Sequence, residues 1–202
     1  MSVDLKKLTE KVDSYAKSVI SQKRYEHSVR TAEMCALLCT RYGLNRELGY
    51  LSGIAHDMCK EAGDEKILEL ASKDGFEITE LERNHVSLLH GRAAAVFLED
   101  FFDFHDPDVL AAVAWHTFGN TGLCDLGKLL FVADKIEPGR PQSTDEYRDN
   151  LMKKELNDLT LSVLCENIDY LNAHGKAVAD ISLKMRDELL AGMKAEGGGV
   201  KI

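Results

Sequence analysis

All three prolines of this 202-residue chain, Pro107, Pro138 and Pro141, fall in one central window, so long stretches on either side lack the residue that most reliably interrupts a helix. The apolar spacing uses that freedom. From Tyr25 to Tyr42, Val29, Ala32, Ala36 and Cys39 recur at three- and four-residue steps, and Gly43 supplies a stop just past the end. The same period predicts helices near Glu47 to Met58, Asp64 to Lys73, Leu88 to Phe102, Asp108 to His116 and Leu126 to Ile136. Beyond the proline window, Leu159, Val163, Leu164, Ile168 and Leu171 form a further stripe that ends before Gly175, and a last helix is expected over Val178 to Met193. Sustained strand alternation is absent, as are a repeat of about 20 to 50 residues and a linker-like shift in composition. The expectation is an all-α, single-domain bundle of roughly eight to ten helices, with its core over residues 21–187 and a disordered tail over about residues 196–202, around Gly197-Gly198-Gly199.

Charge and composition narrow the function. The 34 acidic and 25 basic side chains leave a net charge of −9, the wrong sign for a surface that neutralises a nucleic-acid backbone, so a polymeric nucleic-acid partner is not expected. No apolar run approaches the roughly 18 residues that span a bilayer, and Met1 to Ile20 alternates charged and apolar residues, which argues for a cytoplasmic protein without a membrane partner. The five cysteines (Cys35, Cys39, Cys59, Cys124, Cys165) are odd in number, dispersed and without a C-x-x-C pair, so they read as small core residues and not as a disulfide framework or thiolate metal site.

Seven histidines and many acids raise the question of a metal. One histidine alone is more often a core or surface residue than a ligand; what matters is whether several can converge. His27, the adjacent pair His56 and Asp57, His90, His116 and Asp134 all fall at or near the ends of expected helices, and helix ends in an α-bundle can meet around one pocket. A second His-Asp pair, His105-Asp106, precedes Pro107, and there the aspartate is better read as the polar residue that opens a helix. An E-x-x-H pattern at Glu82 to His85 has no paired copy, which argues against oxygen-carrier or oxidase chemistry of the di-iron bundle kind.

The ordered set Arg24-x-x-His27-Ser28, His56-Asp57-x-x-Lys60, Leu89-His90-Gly91, Trp115-His116-Thr117 and Ala133-Asp134-x-Ile136-Glu137-Pro138-Gly139-Arg140 resembles the HD-domain metal phosphohydrolases, in particular the YqeK-like symmetrical bis(5′-nucleosyl)-tetraphosphatases. The resemblance implies an HD-type helical bundle in which His27, His56, Asp57 and Asp134 form the shared metal set, His90 and His116 complete a second position, and Asp57 bridges the two ions. It implies iron, with manganese and other divalent ions as alternatives, and catalytic roles for Asp57 and Lys60. Lys60, Arg140 and Arg24 are the cationic candidates for substrate phosphates, and Thr117 and Phe118 stand on the substrate side, where Phe118 either stacks on a nucleobase or packs on its own domain. Arg92 either replaces a basic residue that the family carries after its His-Thr pair or faces solvent. The implied reaction is the symmetrical hydrolysis of diadenosine tetraphosphate to two ADP. Hydrolysis of another nucleotide, or a non-catalytic sensor whose ions only hold helices together, are the alternatives, and a homodimer is compatible with either.

Overall fold

Residues 4–197, with side chains to residue 194, are those that the structure, a computed structural model, describes. They form eleven α-helices and no strand: α1 (Leu5–Val19), α2 (Gln22–Arg41), α3 (Arg46–Ala55), α4 (Asp64–Ala71), α5 (Glu80–Asn84), α6 (His90–Phe102), α7 (Pro107–Trp115), α8 (Asp125–Ile136), α9 (Asp145–Leu151), α10 (Leu156–Ala173) and α11 (Asp180–Gly197). A 3-10 turn, Val86–Leu89, leads into α6. Every expected helix is present, and α1, α5 and α9 come in addition. The first carries a buried stripe of Leu8, Val12 and Ala16. The other two are too short for periodicity to mark, but each has a side-chain cap: Thr79 and Glu82 form a capping box on α5, and the Thr144 hydroxyl accepts from Tyr147 N–H on α9. Helix α11 runs to Gly197, two residues into the expected tail; the remainder of that tail lies outside the described residues.

The centre of the bundle is α8. Leu129, Leu130, Phe131, Val132 and Ala133 are all fully buried, covering every side of the helix, which is the signature of a helix wrapped by others. Its neighbours are α2, α3, α7 and α10. Cys35, Cys39 and Cys59 are buried in the core, as the small-core-residue reading expected, whereas Cys124 and Cys165 are half-buried; all five are free. Among the described residues no helix is long and apolar enough to cross a membrane.

Two glycines set how closely the site-bearing helices approach. A Cβ on Gly53 of α3 would lie 2.3 Å from the Ala32 Cα and 2.7 Å from its nitrogen, so α2 and α3 cross with their backbones in contact. A Cβ on Gly91 of α6 would lie 2.8 Å from the Val113 oxygen, 2.9 Å from the Ala114 oxygen and 2.9 Å from the His116 ring. The first crossing brings His27 next to His56, and the second brings His90 next to His116. Gly53→Ala should therefore cost about 1–3 kcal/mol through overpacking, read as a lowered Tm in thermal melts. Gly63→Ala, where a Cβ meets nothing within 4 Å, serves as the control; equal melting of the two variants would contradict the close crossing.

Candidate metal centre

The four histidines are anchored by the same atom. The Nδ1 of His56 lies 2.6 Å from the Gly53 carbonyl, that of His90 2.7 Å from the Ser87 carbonyl, and that of His116 2.8 Å from the Val113 carbonyl. A carbonyl oxygen only accepts, so each Nδ1 must carry the proton and each Nε2 is left bare. His56 and His116 sit at the C-caps of α3 and α7, where the last carbonyls have no partner within the helix, and so the anchor is supplied by the chain's own geometry. His27 stands in the second turn of α2, where the carbonyls are committed to the helix. Its Nδ1 reaches instead to Glu137 Oε1, 3.1 Å away and 110 residues on.

The Nε2 atoms meet in pairs. Nε2 of His27 lies 3.3 Å from Nε2 of His56, and Nε2 of His90 lies 3.0 Å from Nε2 of His116. Two lone pairs at such distances repel unless a cation is shared between them. Imidazole nitrogens bound at about 2.1 Å to a single ion stand about 3.0–3.4 Å apart, in octahedral or tetrahedral geometry, so both pairs fit one ion each. Asp57, directly after the α3 C-cap, lies between them. Its Oδ1 is 2.9 Å from His90 Nε2 and 3.8 Å from His116 Nε2, while its Oδ2 is 3.7 Å from His27 Nε2 and 3.6 Å from His56 Nε2. Asp134, in the last turn of α8, brings Oδ1 to 3.1 Å from His27 Nε2 and 3.8 Å from His56 Nε2. Two groups able to hold an ion thus share Asp57: His27, His56 and Asp57, and Asp57, His90 and His116.

Cationic side chains ring this cluster. Arg24 Nη1 donates to Asp57 Oδ2 at 2.7 Å, and Arg140 Nη2 to Asp134 Oδ1 at 2.5 Å. Lys60 Nζ lies 3.4 Å from the Ser87 carbonyl that anchors His90 and 3.1 Å from His90 Nδ1. Lys135 Nζ donates to the His116 carbonyl at 2.8 Å and to Asp134 Oδ2 at 3.0 Å. The acid that Arg24 pairs with is thus the carboxylate shared by both halves of the cluster. Thr117 Oγ1 lies 3.4 Å from His116 Nε2, at the edge of the cluster. Phe118 is half-buried and its carbonyl accepts from Ser182 of α11, which pins the loop after His116; the Glu188 carboxylate, accepting from Gly122 N–H, pins its far end.

Burial alone would raise the Asp57 carboxyl, but His56, His90 and His116 hold it well below the usual carboxylate range. Asp134 is likewise held low, with Lys135, His27 and Arg140 outweighing burial. Burial lowers His56 and holds His116 well below the ordinary imidazole value, so both are neutral near pH 7, the form that ligates a metal. For His27 the hydrogen bonds to Asp134 and Glu137 outweigh burial and raise its pKa. Lys60 is lowered, chiefly by burial.

The second His-Asp pair is a helix start. Asp106 caps α7, accepting from Asp108 and Val109 N–H at 3.1 Å each with Pro107 at the first turn, and exposed His105 pairs only with Asp103 and Glu99. Glu82 of the isolated E-x-x-H pattern is spent on the α5 capping box and on Arg92. Arg92 matches neither of its expected roles. It is buried, donating to Asp74, Glu82 and the carbonyls of Phe76 and Glu77, so it fastens the loop before α5. Three residues of the site went unassigned in the sequence: Lys135, next to Asp134; Glu137, in the run before Pro138; and Arg30, whose Nε donates to Glu137 Oε2 at 2.6 Å. The i+3 spacing of Arg30 from His27, one helical turn, was the available signal.

Residues 24–139 match the model of the HD domain family. The chain belongs to the HD domain family. Its relatives include a symmetrical bis(5′-nucleosyl)-tetraphosphatase of Staphylococcus aureus, 34% identical over 142 residues, which are 69% of this chain and 72% of that protein. A protein of the same description from Halalkalibacterium halodurans is 26% identical over 87% of this chain and 93% of its own. Among solved structures, a Clostridium acetobutylicum protein described as a predicted HD superfamily hydrolase involved in NAD metabolism superposes with a TM-score of 0.82 at 27% identity, covering 90% of this chain and 96% of that one. His56-Asp57 lies within the matched residues, at the meeting point of both histidine pairs.

His56→Ala or Asp57→Ala should abolish divalent-metal content, whereas His105→Ala and Asp106→Ala should leave it intact, the latter losing only a helix cap worth about 1 kcal/mol. Elemental analysis of the purified variants decides this, and equal metal loss at both His-Asp pairs would overturn the assignment.

Proposed function

We propose that this HD domain hydrolyses dinucleoside tetraphosphates symmetrically, turning diadenosine tetraphosphate into two ADP with two divalent ions held by His27, His56, Asp57 and Asp134 on one side and by Asp57, His90 and His116 on the other. The observation that carries the reading is the ring of Arg24, Lys60, Lys135 and Arg140 around Asp57 and Asp134: four cations face two carboxylates in a chain whose net charge is −9. These cations outnumber the two carboxylates before any ion binds, which suits a polyanion of limited size and gives a helix-stabilising metal site no purpose. The names of the relatives point to the same substrate class. Imidazole and carboxylate donors together suit iron, with manganese able to replace it, and the substrate is a free cytoplasmic nucleotide.

Bound divalent ions would supply water activation and withdrawal of charge from the phosphoryl oxygens. The chain's own groups supply position and electrostatics. Asp57 remains ionised at neutral pH, so it can face both halves of the site at once. Arg24 and Arg140, about a third exposed at 34% and 37%, stand where the cluster opens to solvent and present further N–H donors to phosphate oxygens. Lys60 and Lys135 add charge from the walls. In the reaction, a bond forms between the water oxygen and an inner phosphorus while the bond from that phosphorus to the bridging oxygen of the other half breaks, and the protons of the water pass to solvent. The electron pair leaves on a diphosphate whose terminal oxygens are ionised near neutrality, so protonation by a dedicated side chain is not needed.

Two measurements test this. Incubation of metal-loaded protein with diadenosine tetraphosphate in oxygen-18 water should give ADP alone, with label in half of it. ATP and AMP in equal amounts would refute symmetrical cleavage, and inertness toward dinucleotides with turnover of a mononucleotide would favour hydrolysis of another nucleotide. Lys60→Ala should retain metal and lose one charge-assisted contact, about 1.5–3 kcal/mol, or about 10- to 150-fold in rate; unchanged kinetics with full metal would remove Lys60 from the reaction.

A further inference from the structure

Glu137 stands between His27 of the metal cluster and the loop that carries Arg140. Pro138 holds it in extended conformation (φ −55°, ψ 150°) just past the end of α8, and its carboxylate is buried. Oε1 accepts from His27 Nδ1 at 3.1 Å; Oε2 accepts from Arg30 Nε at 2.6 Å and from the main-chain N–H of Gly139 at 2.5 Å. The Arg30 guanidinium and two further N–H donors face this carboxylate, and no acceptor competes for them, so ion pair and hydrogen bonds hold it as an anion. Gly139 carries the chain directly into Arg140, whose Nε donates to the Asp134 carbonyl at 2.7 Å and whose Nη2 lies 3.4 Å from His27 Nε2. A Cβ at Gly139 would collide with the Arg30 guanidinium at 2.5 Å, so the loop lies flat on that side chain.

The other three histidines take their tautomer from a carbonyl of their own segment. His27 alone takes it from a carboxylate, and that carboxylate is also what seats the loop bearing Arg140. We propose that Glu137 is a positioning residue that joins the His27–His56 metal position to Arg140, so that filling this position and gripping a substrate phosphate are coupled events. The inference rests on the metal-dependent reading above and goes beyond it. A charged partner on Nδ1 makes Nε2 a stronger donor, and partners of this kind are worth about 10–100-fold in metal affinity. Glutamine cannot replace it, because its single oxygen cannot accept from His27, Arg30 and Gly139 together and its NH2 group adds donors where only donors already stand.

The test is a Co²⁺ titration followed by visible absorption, with ADP binding measured by calorimetry at saturating metal. In wild type two ions bind and ADP binds. In Glu137→Gln one of the two ions should weaken about 10- to 100-fold while the other is unchanged, ADP affinity should fall, and in the Zn²⁺ form the Nδ1–H proton resonance of His27 alone should move upfield. Asp106→Ala removes the α7 cap away from the cluster; it should lower Tm and keep both ions and ADP. Unchanged binding in Glu137→Gln, equal weakening of both ions, or Asp106→Ala losing as much as Glu137→Gln would each overturn the coupling while the metal-dependent reading stands. A wild type that binds no Co²⁺ would bring down that reading and the coupling with it.

Discussion

The site depends on four imidazoles whose protons are held on the outer nitrogen. Once three main-chain carbonyls and one carboxylate have claimed the Nδ1 protons, four Nε2 atoms and the oxygens of Asp57 and Asp134 face one another in a buried space. That arrangement is repulsive unless positive charge is present, and the rest of the local structure brings it there. Arg24 and Arg140 reach the carboxylates from the mouth, Lys60 and Lys135 from the walls. Divalent ions complete the same logic with donors at fitting separations.

The bundle exists around this requirement in a concrete way. Carbonyls near helix C-termini lack helical partners, so histidines at the C-caps of α3 and α7 find an acceptor for Nδ1 without cost to the helix. His90, which opens α6, uses the 3-10 turn before it in the same manner. Packing then decides whether the anchored rings meet: at Gly53 and Gly91 the absence of a Cβ lets helix backbones touch, and each close crossing produces one histidine pair. Central helix α8 fixes the remaining acid, because Asp134 is carried by a segment that is buried on every side.

Much of this was legible in the sequence because the relevant signals are local or periodic. The apolar stripes of the long helices stood out at three- and four-residue steps, and the contrast between His56-Asp57 and His105-Asp106 followed from Pro107 after the second pair and from Lys60 and the ordered partners around the first. Short helices α5 and α9 were not legible by period, since five and seven residues each hold fewer than two turns; the Thr79–Glu82 capping box was the readable mark. Arg92 eluded the reading because its partners Asp74 and Glu82 become neighbours only when the loop before α5 folds back. Glu137 and Lys135 stood inside a motif that drew attention to Asp134 and Arg140. Their roles arise from contacts more than a hundred residues away in one case, to His27, and across a helix junction in the other, to His116, and no spacing rule reports such contacts.

The central claim is that two cation positions share one carboxylate. Anomalous scattering from crystals grown with manganese or iron tests it most directly. The account predicts two peaks flanking Asp57, one bounded by His27, His56 and Asp134 and the other by His90 and His116, with a different Asp57 oxygen turned to each. A single peak, or any peak whose nearest imidazole atom is Nδ1, would contradict it.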